Sequence, residues 1–375
     1  MSNQLSWVDE AWSEILTKLE KTSKKIGANF PHASVNGVYE LERPNWWTAA
    51  FWPGILWQVY QETQDENLKL IAEECEVKLD AVFDYFYTMH HDVGFMWKLN
   101  SVSRYKLLGS EDSKKRALMV AHILMGRFNV NGNYIQAWNN WADGDDKSGW
   151  SIIDTMMNLP LLYWASEETE NPRFKAVAMK HADTVIEHFI REDGAVHHIV
   201  EFDSTTGEVK GHIGGQGHAP FSAWARGAGW ALYGMSLCHY YTGEERYLQA
   251  AKKVAHFFIA NLPDDFVPVW DFRIPEEVTP YRDSSAGAIA ASGLLLLAEQ
   301  VEDLESRPYR RVGEKILKSL YENYGTWDDD SQEGMLLHGV SNYMKSKFVD
   351  NPLIYGDFYF VEGIARLKGC KAITE

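Results

Sequence analysis

Apolar positions recur three and four residues apart along nearly the whole chain, and strict alternation is confined to short connectors. Trp7, Trp12, Ile15, Leu16 and Leu19 show this spacing in the first segment, 7–26. After it a unit repeats: an apolar helix, a short acidic turn, and an amphipathic helix rich in Lys, Glu and Ala. Three turns share one plan, Thr63-Gln-Asp-Glu-Asn-Leu68, Thr169-Glu-Asn-Pro-Arg-Phe174 and Thr242-Gly-Glu-Glu-Arg-Tyr247. In each, a large apolar residue follows the Thr and is placed to lock the second helix onto the first. Residues 109–113 and 302–306 look like variants of the same connector. Self-similarity of this kind marks a repeated helical hairpin.

The pattern predicts about twelve helices, beginning near residues 5, 47, 66, 97, 112, 150, 172, 224, 245, 283, 307 and 355. Those near 47, 97, 150, 224, 283 and 355 are the more apolar. Several carry glycine (Gly54, Gly229, Gly234, Gly287, Gly293, Gly363). Glycine inside a helix costs about 1 kcal/mol relative to Ala, a cost that is tolerable where helices approach closely. These members are expected to form an inner ring, with the charged members outside. No Pro/Gly/Ser linker splits the chain, so residues 1–375 read as one all-α domain. The connectors leading into the apolar helices (29–46, 86–96, 129–149, 191–223, 262–282, 325–354) hold most of the His, Trp, Gly and Pro and open on one end of the ring, where function usually lives.

Charge narrows the partners. The balance of 36 basic against 53 acidic residues gives −17, which excludes the basic face a nucleic-acid reader needs. A hydrophobic fraction of 45% excludes general disorder. The longest apolar run, Ala286 to Ala298, has 13 residues, too few to cross a bilayer. The first residues show no secretion signal, and Cys75, Cys238 and Cys370 are too few and too scattered for a disulfide framework. The expectation is a cytoplasmic protein, monomer or homodimer, with no membrane or nucleic-acid partner. The aromatic residues include 15 Trp, and Trp46, Trp47 and Trp52, Trp138 and Trp141, and Trp224 and Trp230 cluster beside polar residues in Gly/Pro-rich stretches. Flat apolar faces edged by hydrogen-bonding groups suit sugar rings.

Asp154, in the nearly apolar run Ser151-Ile-Ile-Asp-Thr-Met-Met-Asn-Leu-Pro160, is costly to bury without partners. It either stabilises a helix N-terminus or does chemistry. Asp92 lies in Met89-His-His-Asp-Val-Gly94, where His90-His91-Asp92 is a poor metal motif because adjacent residues rarely converge on one ion. Asp92 and Asp154 occupy equivalent places at consecutive inner helices. If they face each other, one pKa is pushed up and general acid/base work becomes possible. Asp283 and Asp357 sit at similar helix starts, so position alone does not single out the first pair. Arg226, between Trp224 and Trp230, either clamps an anionic sugar or lies flat on Trp. Gly214-Gly-Gln-Gly-His218 lacks the P-loop lysine, and no nucleophile elbow is present. Neither a metal nor a cofactor is expected.

At these residues the sequence resembles the unsaturated glucuronyl hydrolases, glycoside hydrolase family 88. The resemblance covers about residues 5 to 368. It is carried by Trp47-Thr through Phe51-Trp-Pro-Gly-Ile-Leu-Trp57, His90-His-Asp-Val-Gly-Phe95, Ile135-Gln-Ala-Trp138, Ile152-Ile-Asp through Asn158-Leu-Pro-Leu-Leu162, Trp224-Ala-Arg-Gly through Trp230, Tyr281-Arg-Asp-Ser-Ser-Ala286 and Tyr355-Gly-Asp-Phe-Tyr359. It implies an (α/α)6 barrel and hydration of the C4=C5 bond of the unsaturated uronic acid that a polysaccharide lyase leaves on an oligosaccharide. It further implies that Asp154 is the general acid/base and Asp92 the second essential carboxylate. His198, Gln216, Arg226 and Trp230 would bind the uronate and the water, and Trp47, Trp138 and His91 would line the −1 and +1 subsites. Ala49-Ala50 departs from the family's acidic or amide residue and Gly, which puts contacts from that loop in doubt. The basic loop Ser341-Asn-Tyr-Met-Lys-Ser-Lys347 offers Lys345 and Lys347 for an anionic substituent, or simply two solvated lysines. An unsaturated rhamnogalacturonyl hydrolase (family 105) and a non-catalytic sugar-binding toroid are the competing readings.

Overall fold

The computed structural model describes residues 6–375. The reading of the N-terminus falls in part on residues 1–5, which lie outside the described residues. Twelve helical segments are found among the described residues: α1 (Ser6–Ile26), α2 (Phe51–Thr63), α3 (Glu66–Leu79), α4 (93–108, with a π turn at Lys98–Val102), α5 (Glu111–Gly126), α6 (Leu159–Thr169), α7 (Pro172–His188), α8 (Ala225–Thr242), α9 (Glu245–Ala260), α10 (Ser284–Glu299), α11 (Asp303–Tyr324) and α12 (Ile354–Leu367). Even-numbered helices touch one another in sequence, and α12 returns to α2, so the inner ring closes. Each odd-numbered helix from α3 to α11 folds back on the inner helix before it, and α1 packs on α12. This is an (α/α)6 barrel. One apolar cluster runs through it from Val8 to Ile373.

The three repeated turns are built alike. The Thr63, Thr169 and Thr242 hydroxyls each donate to the carbonyl four residues back, at 3.0, 2.6 and 2.6 Å. The residues that follow them, Gln64, Glu170 and Gly243, are left-handed and end the helix. Leu68, Phe174 and Tyr247 are then buried at 5%, 1% and 0% exposure, as the spacing predicts.

Two expectations need correction. The helix expected near 150 starts at Leu159, because Pro160 favours the first helical turn. The residues before it form a strand, Trp150–Ile152, and a 3-10 turn, Ile153–Met157. Asp154 is therefore on a tight turn and not at an α-helix N-terminus. The connectors also carry nine short strands among the described residues, in four antiparallel sheets. They are β1 (Phe30–Val35) with β2 (Val38–Glu42), β3 (Phe128–Asn129) with β4 (Tyr134–Ile135), β5 (Trp150–Ile152) with β6 (Ile199–Phe202) and β7 (Val209–Ile213), and β8 (Gly339–Asn342) with β9 (Lys347–Asn351). Connectors bond to connectors: Ala33 bridges Leu353, and the Ser284 N–H donates to the His338 carbonyl at 3.1 Å. They form one rim. Toward the other end, buried Lys98 donates to the Ile373 carbonyl at 2.9 Å, so the last residues pack into the barrel.

Inner-helix glycines mark close approaches. A Cβ on Gly234 would lie 2.4 Å from Met156 Cβ, and one on Gly293 3.0 Å from the Tyr233 backbone. Gly234 thus seats the turn that carries Asp154 against α8. Gly234→Ala is expected to cost about 1–3 kcal/mol through overpacking, read as a lower thermal midpoint. An unchanged midpoint would contradict the close fit.

Candidate active site

Backbone bonds bring the chemistry to the rim. The His91 N–H donates to the Ala137 carbonyl at 3.0 Å, the Ala137 N–H to Trp150 O at 2.8 Å, and the Ile153 N–H to His198 O at 3.0 Å. Arg127, which the sequence reading missed, ties the same connectors by donating to the carbonyls of Met89 (3.0 Å), Gln136 (2.9 Å) and Ala137 (3.2 Å).

Asp154 Oδ2 is buried with no hydrogen-bond partner, and His198 Nε2 lies 3.5 Å from it. His198 Nδ1 accepts from the Gln216 N–H at 2.9 Å, a closer contact than the Gly214 carbonyl at 3.3 Å, and this bond assigns the ring proton to Nε2, facing Asp154. This bond explains the glycines of 214–217. A Cβ on Gly215, whose φ is +61°, would lie 2.1 Å from His198 Nδ1, so the segment serves close approach to an imidazole and not to a phosphate.

Asp92 lies between two imidazoles. His90 Nδ1 is 3.3 Å from Oδ2 and His91 Nε2 is 3.4 Å from Oδ1. These are the only three metal-capable side chains grouped within 4.8 Å among the described residues. The two imidazoles flank opposite oxygens of the Asp92 carboxylate. Burial works to raise the Asp92 pKa; His91, with hydrogen bonds from His90 and Asn158, outweighs it and holds the carboxyl below its ordinary range. His91 Nδ1 pairs with Thr155 Oγ1 at 2.8 Å, and His91 feels the charges of both Asp92 and Asp154. One imidazole therefore senses both carboxyl groups. Asn158 joins the two sides as well: its amide nitrogen donates to the Asp154 carbonyl at 3.3 Å, and its Oδ1 accepts from the Phe95 N–H at 2.7 Å. Thr155 and Asn158 stand one and four residues after Asp154, a helical spacing that was their one visible signal.

Arg226 satisfies the second of its two readings. Its guanidinium lies 4.6 Å from the Trp224 ring centre. It donates to Asp283 Oδ2 (3.1 Å), Gln216 Oε1 (2.6 Å), Ser341 O (2.7 Å) and Val340 O, so both Nη groups are already bonded. Trp230 is fully buried in the core between Phe95 and Tyr359, 5.5 Å from each. Trp47 packs on Tyr355 at 4.9 Å and Trp138 on His91 at 6.3 Å. Ala49 and Ala50 are fully buried, so their side chains offer nothing to a ligand. Lys345 and Lys347 are exposed and lie over Trp141 and Trp46, each at 5.7 Å.

The glycosyl hydrolase family 88 model matches residues 18–366. The chain belongs to glycoside hydrolase family 88. It is 35% identical over 363 residues, 96% of both chains, to the unsaturated glucuronyl hydrolase of Bacillus sp. (strain GL1). Its structure is similar to that hydrolase's crystal structure with a TM-score of 0.92, 34% identity, and 96% and 97% coverage. It is also similar to a UGL Asp→Asn variant with dGlcA-Glc-Rha-Glc (TM-score 0.91, 34% identity, 96% of each chain). The family 88 chain is thus a glycosidase, and the match favours family 88 over the family 105 reading.

Two outcomes follow from this geometry. Asn158→Ala removes a donor that favours ionised Asp92, so the acidic limb of the kcat/KM profile moves to higher pH while circular dichroism stays native; an unmoved limb would leave Asn158 a packing residue only. Burial pushes His32 and His181 down to about 3 and His91 to about 4. The unfolded chain therefore binds protons below about pH 6.5 that the fold refuses. Stability is full above that pH and falls as pH drops toward 4, by roughly 1.4 kcal/mol per unit and histidine at most. The thermal midpoint should already decline between pH 6.5 and 5, where most carboxylates stay ionised; a flat midpoint there would refute the assignment.

Proposed function

We propose that this family 88 enzyme hydrates the C4=C5 bond of the unsaturated uronic acid at the non-reducing end of lyase-generated, glycosaminoglycan-type di- and oligosaccharides. The observation that carries the reading is the buried, unpartnered Oδ2 of Asp154, 3.5 Å from His198 Nε2, with His91 feeling the charges of both Asp154 and Asp92. Buried polar atoms in native structures are mostly hydrogen-bonded, and a substrate is the partner this proposal gives to the Asp154 oxygen.

In this proposal Asp154 gives its proton to C4 and, as carboxylate, takes one from the water that adds to C5. The resulting hemiketal opens to a C5 ketone and releases the aglycone, with no displacement at the anomeric carbon. Asp92, held ionised, orients the ring and stabilises the positive charge that develops as C4 is protonated. Half-buried Gln216, its carbonyl engaged by Arg226, keeps its NH2 for the uronate. The buried Arg226 charge favours the substrate carboxylate through the field at the hollow, since its Nη donors are occupied. Trp47 and Trp138 supply the flat faces of the −1 and +1 subsites, and Trp230 holds the floor. Lys345 and Lys347 stand at the mouth as cations for an anionic substituent.

No helix among the described residues is long and apolar enough to cross a membrane. The three unpaired cysteines support a reducing compartment and hence a cytoplasmic role on imported fragments.

The test follows the enol-ether absorbance on disaccharides from chondroitin, hyaluronan, heparin and pectin lyases. Wild type is expected to bleach the signal on at least one glycosaminoglycan product. Asp154→Asn should lose about 10²–10⁴ in turnover with an unchanged fold. Constant absorbance across the panel would overturn the proposal, and bleaching of the pectin product alone would favour the rhamnogalacturonyl reading.

A further inference from the structure

Trp141 is not explained by the reaction just described. Its side chain is 63% exposed, an unusual state for the residue with the largest apolar surface. It is nevertheless fixed in place. The ring centre lies 5.3 Å from that of Trp138, the ring that packs on His91, so Trp141 continues the aromatic surface one step outward from the hollow. Its backbone N–H donates to Asp145 Oδ2 at 3.1 Å. Buried Lys147, paired with the same Asp145, lies 4.3 Å from the Trp141 ring centre.

A second cation reaches this ring from elsewhere. Lys345 stands in the turn joining β8 to β9, on a different connector, with its ammonium 5.7 Å from the Trp141 centre. Lys147 is neutralised by its aspartate. Lys345 is exposed and has no carboxylate within ion-pair distance among the described residues, in a chain that carries 53 acidic side chains. An unpaired cation over an exposed indole is a ready site for an apolar sugar face that bears a negative charge at its edge.

We infer that Trp141 and Lys345 form an outer subsite for the second sugar on the leaving-group side, a pyranose carrying an anionic group. The ring lies on the indole, and the Lys345 ammonium moves from the indole face onto the anion. The inference rests on the functional reading above, because it requires a chain that enters the hollow by its unsaturated end. In an unsulfated tetrasaccharide that alternates uronate with amino sugar, the group meeting Lys345 is the carboxylate of the third residue. A sulfate on the sugar next to the unsaturated residue is the other source of such a charge.

The experiment compares an unsaturated disaccharide and the unsulfated tetrasaccharide of the same glycan. It uses kcat/KM with Trp141 or Lys345 replaced singly, and Kd with the same replacements in an Asp154→Asn background. For Trp141→Ala the ratio of tetrasaccharide to disaccharide kcat/KM, and the matching ratio of affinities, should each fall roughly three- to tenfold. Lys345→Gln should lower both ratios in the same direction, and added salt should diminish its effect. An unchanged ratio for Trp141→Ala would overturn the subsite. A Lys345→Gln effect confined to a sulfated disaccharide would overturn the assignment of the cation to the second ring. Failure of the wild type to bleach any disaccharide would instead remove the functional reading, and the Kd ratios would still decide whether Trp141 holds a sugar.

Discussion

The rim depends on one buried ion pair. Arg226 and Asp283 are 2% and 0% exposed, a placement whose desolvation cost is repaid only when every remaining lone pair and N–H is matched. Here the matching is nearly complete, and it is done by two connectors and the first turn of α10. Asp283 Oδ1 accepts from the N–H groups of Ser285, Ala286 and Val340 and from the Ser285 hydroxyl. Arg226 reaches Gln216, Val340 and Ser341 while stacked on Trp224. Gln216 in turn fixes His198 through its backbone N–H, and His198 faces Asp154. The imidazole beside Asp154 is thus held through Gln216 by a salt bridge that sits elsewhere in the rim.

Four aspartates at comparable places were indistinguishable in the sequence. The structure separates them by what they accept. Asp283 is saturated as described, and Asp357 takes the Tyr39 hydroxyl at 2.6 Å and the N–H groups of Met335 and Leu336 at 2.8 and 3.0 Å. Both are structural. Asp92 lies between two imidazoles, and Asp154 Oδ2 has no hydrogen-bond partner and only the His198 imidazole, 3.5 Å away, beside it. The contacts that separate them are long-range, such as Tyr39 to Asp357, and periodicity carries no information about partners hundreds of residues apart.

What was legible was local. The hairpin turns could be read because the Thr hydroxyl, the left-handed cap and the apolar lock all lie within a few residues. The inner and outer rings could be read because burial follows composition helix by helix. The turn at Ile153–Met157 was hidden for the opposite reason. Its residues are apolar enough for an inner helix, and only pairing of Trp150–Ile152 with β6, together with Pro160, delays the helix to Leu159. Tertiary pairing overrode local preference at the turn that carries Asp154. Gly215 was misleading in a similar way. A glycine-rich stretch suggests close approach, but the sequence does not say to what.

The net charge sets the last constraint. A chain at −17 repels an anionic oligosaccharide at long range, so general steering does not bring the substrate in. Mobile ions screen that repulsion beyond about 8–10 Å, whereas inside the rim the dielectric is lower and the relevant charges are few. There Arg226 is buried within hydrogen-bond reach of Gln216, and Lys345 and Lys347 lie over indoles with no carboxylate partner among the described residues. Contact with an anion at this mouth is a short-range event, and Lys345 and Lys347 are the cations there that lie on aromatic rings with no carboxylate partner among the described residues.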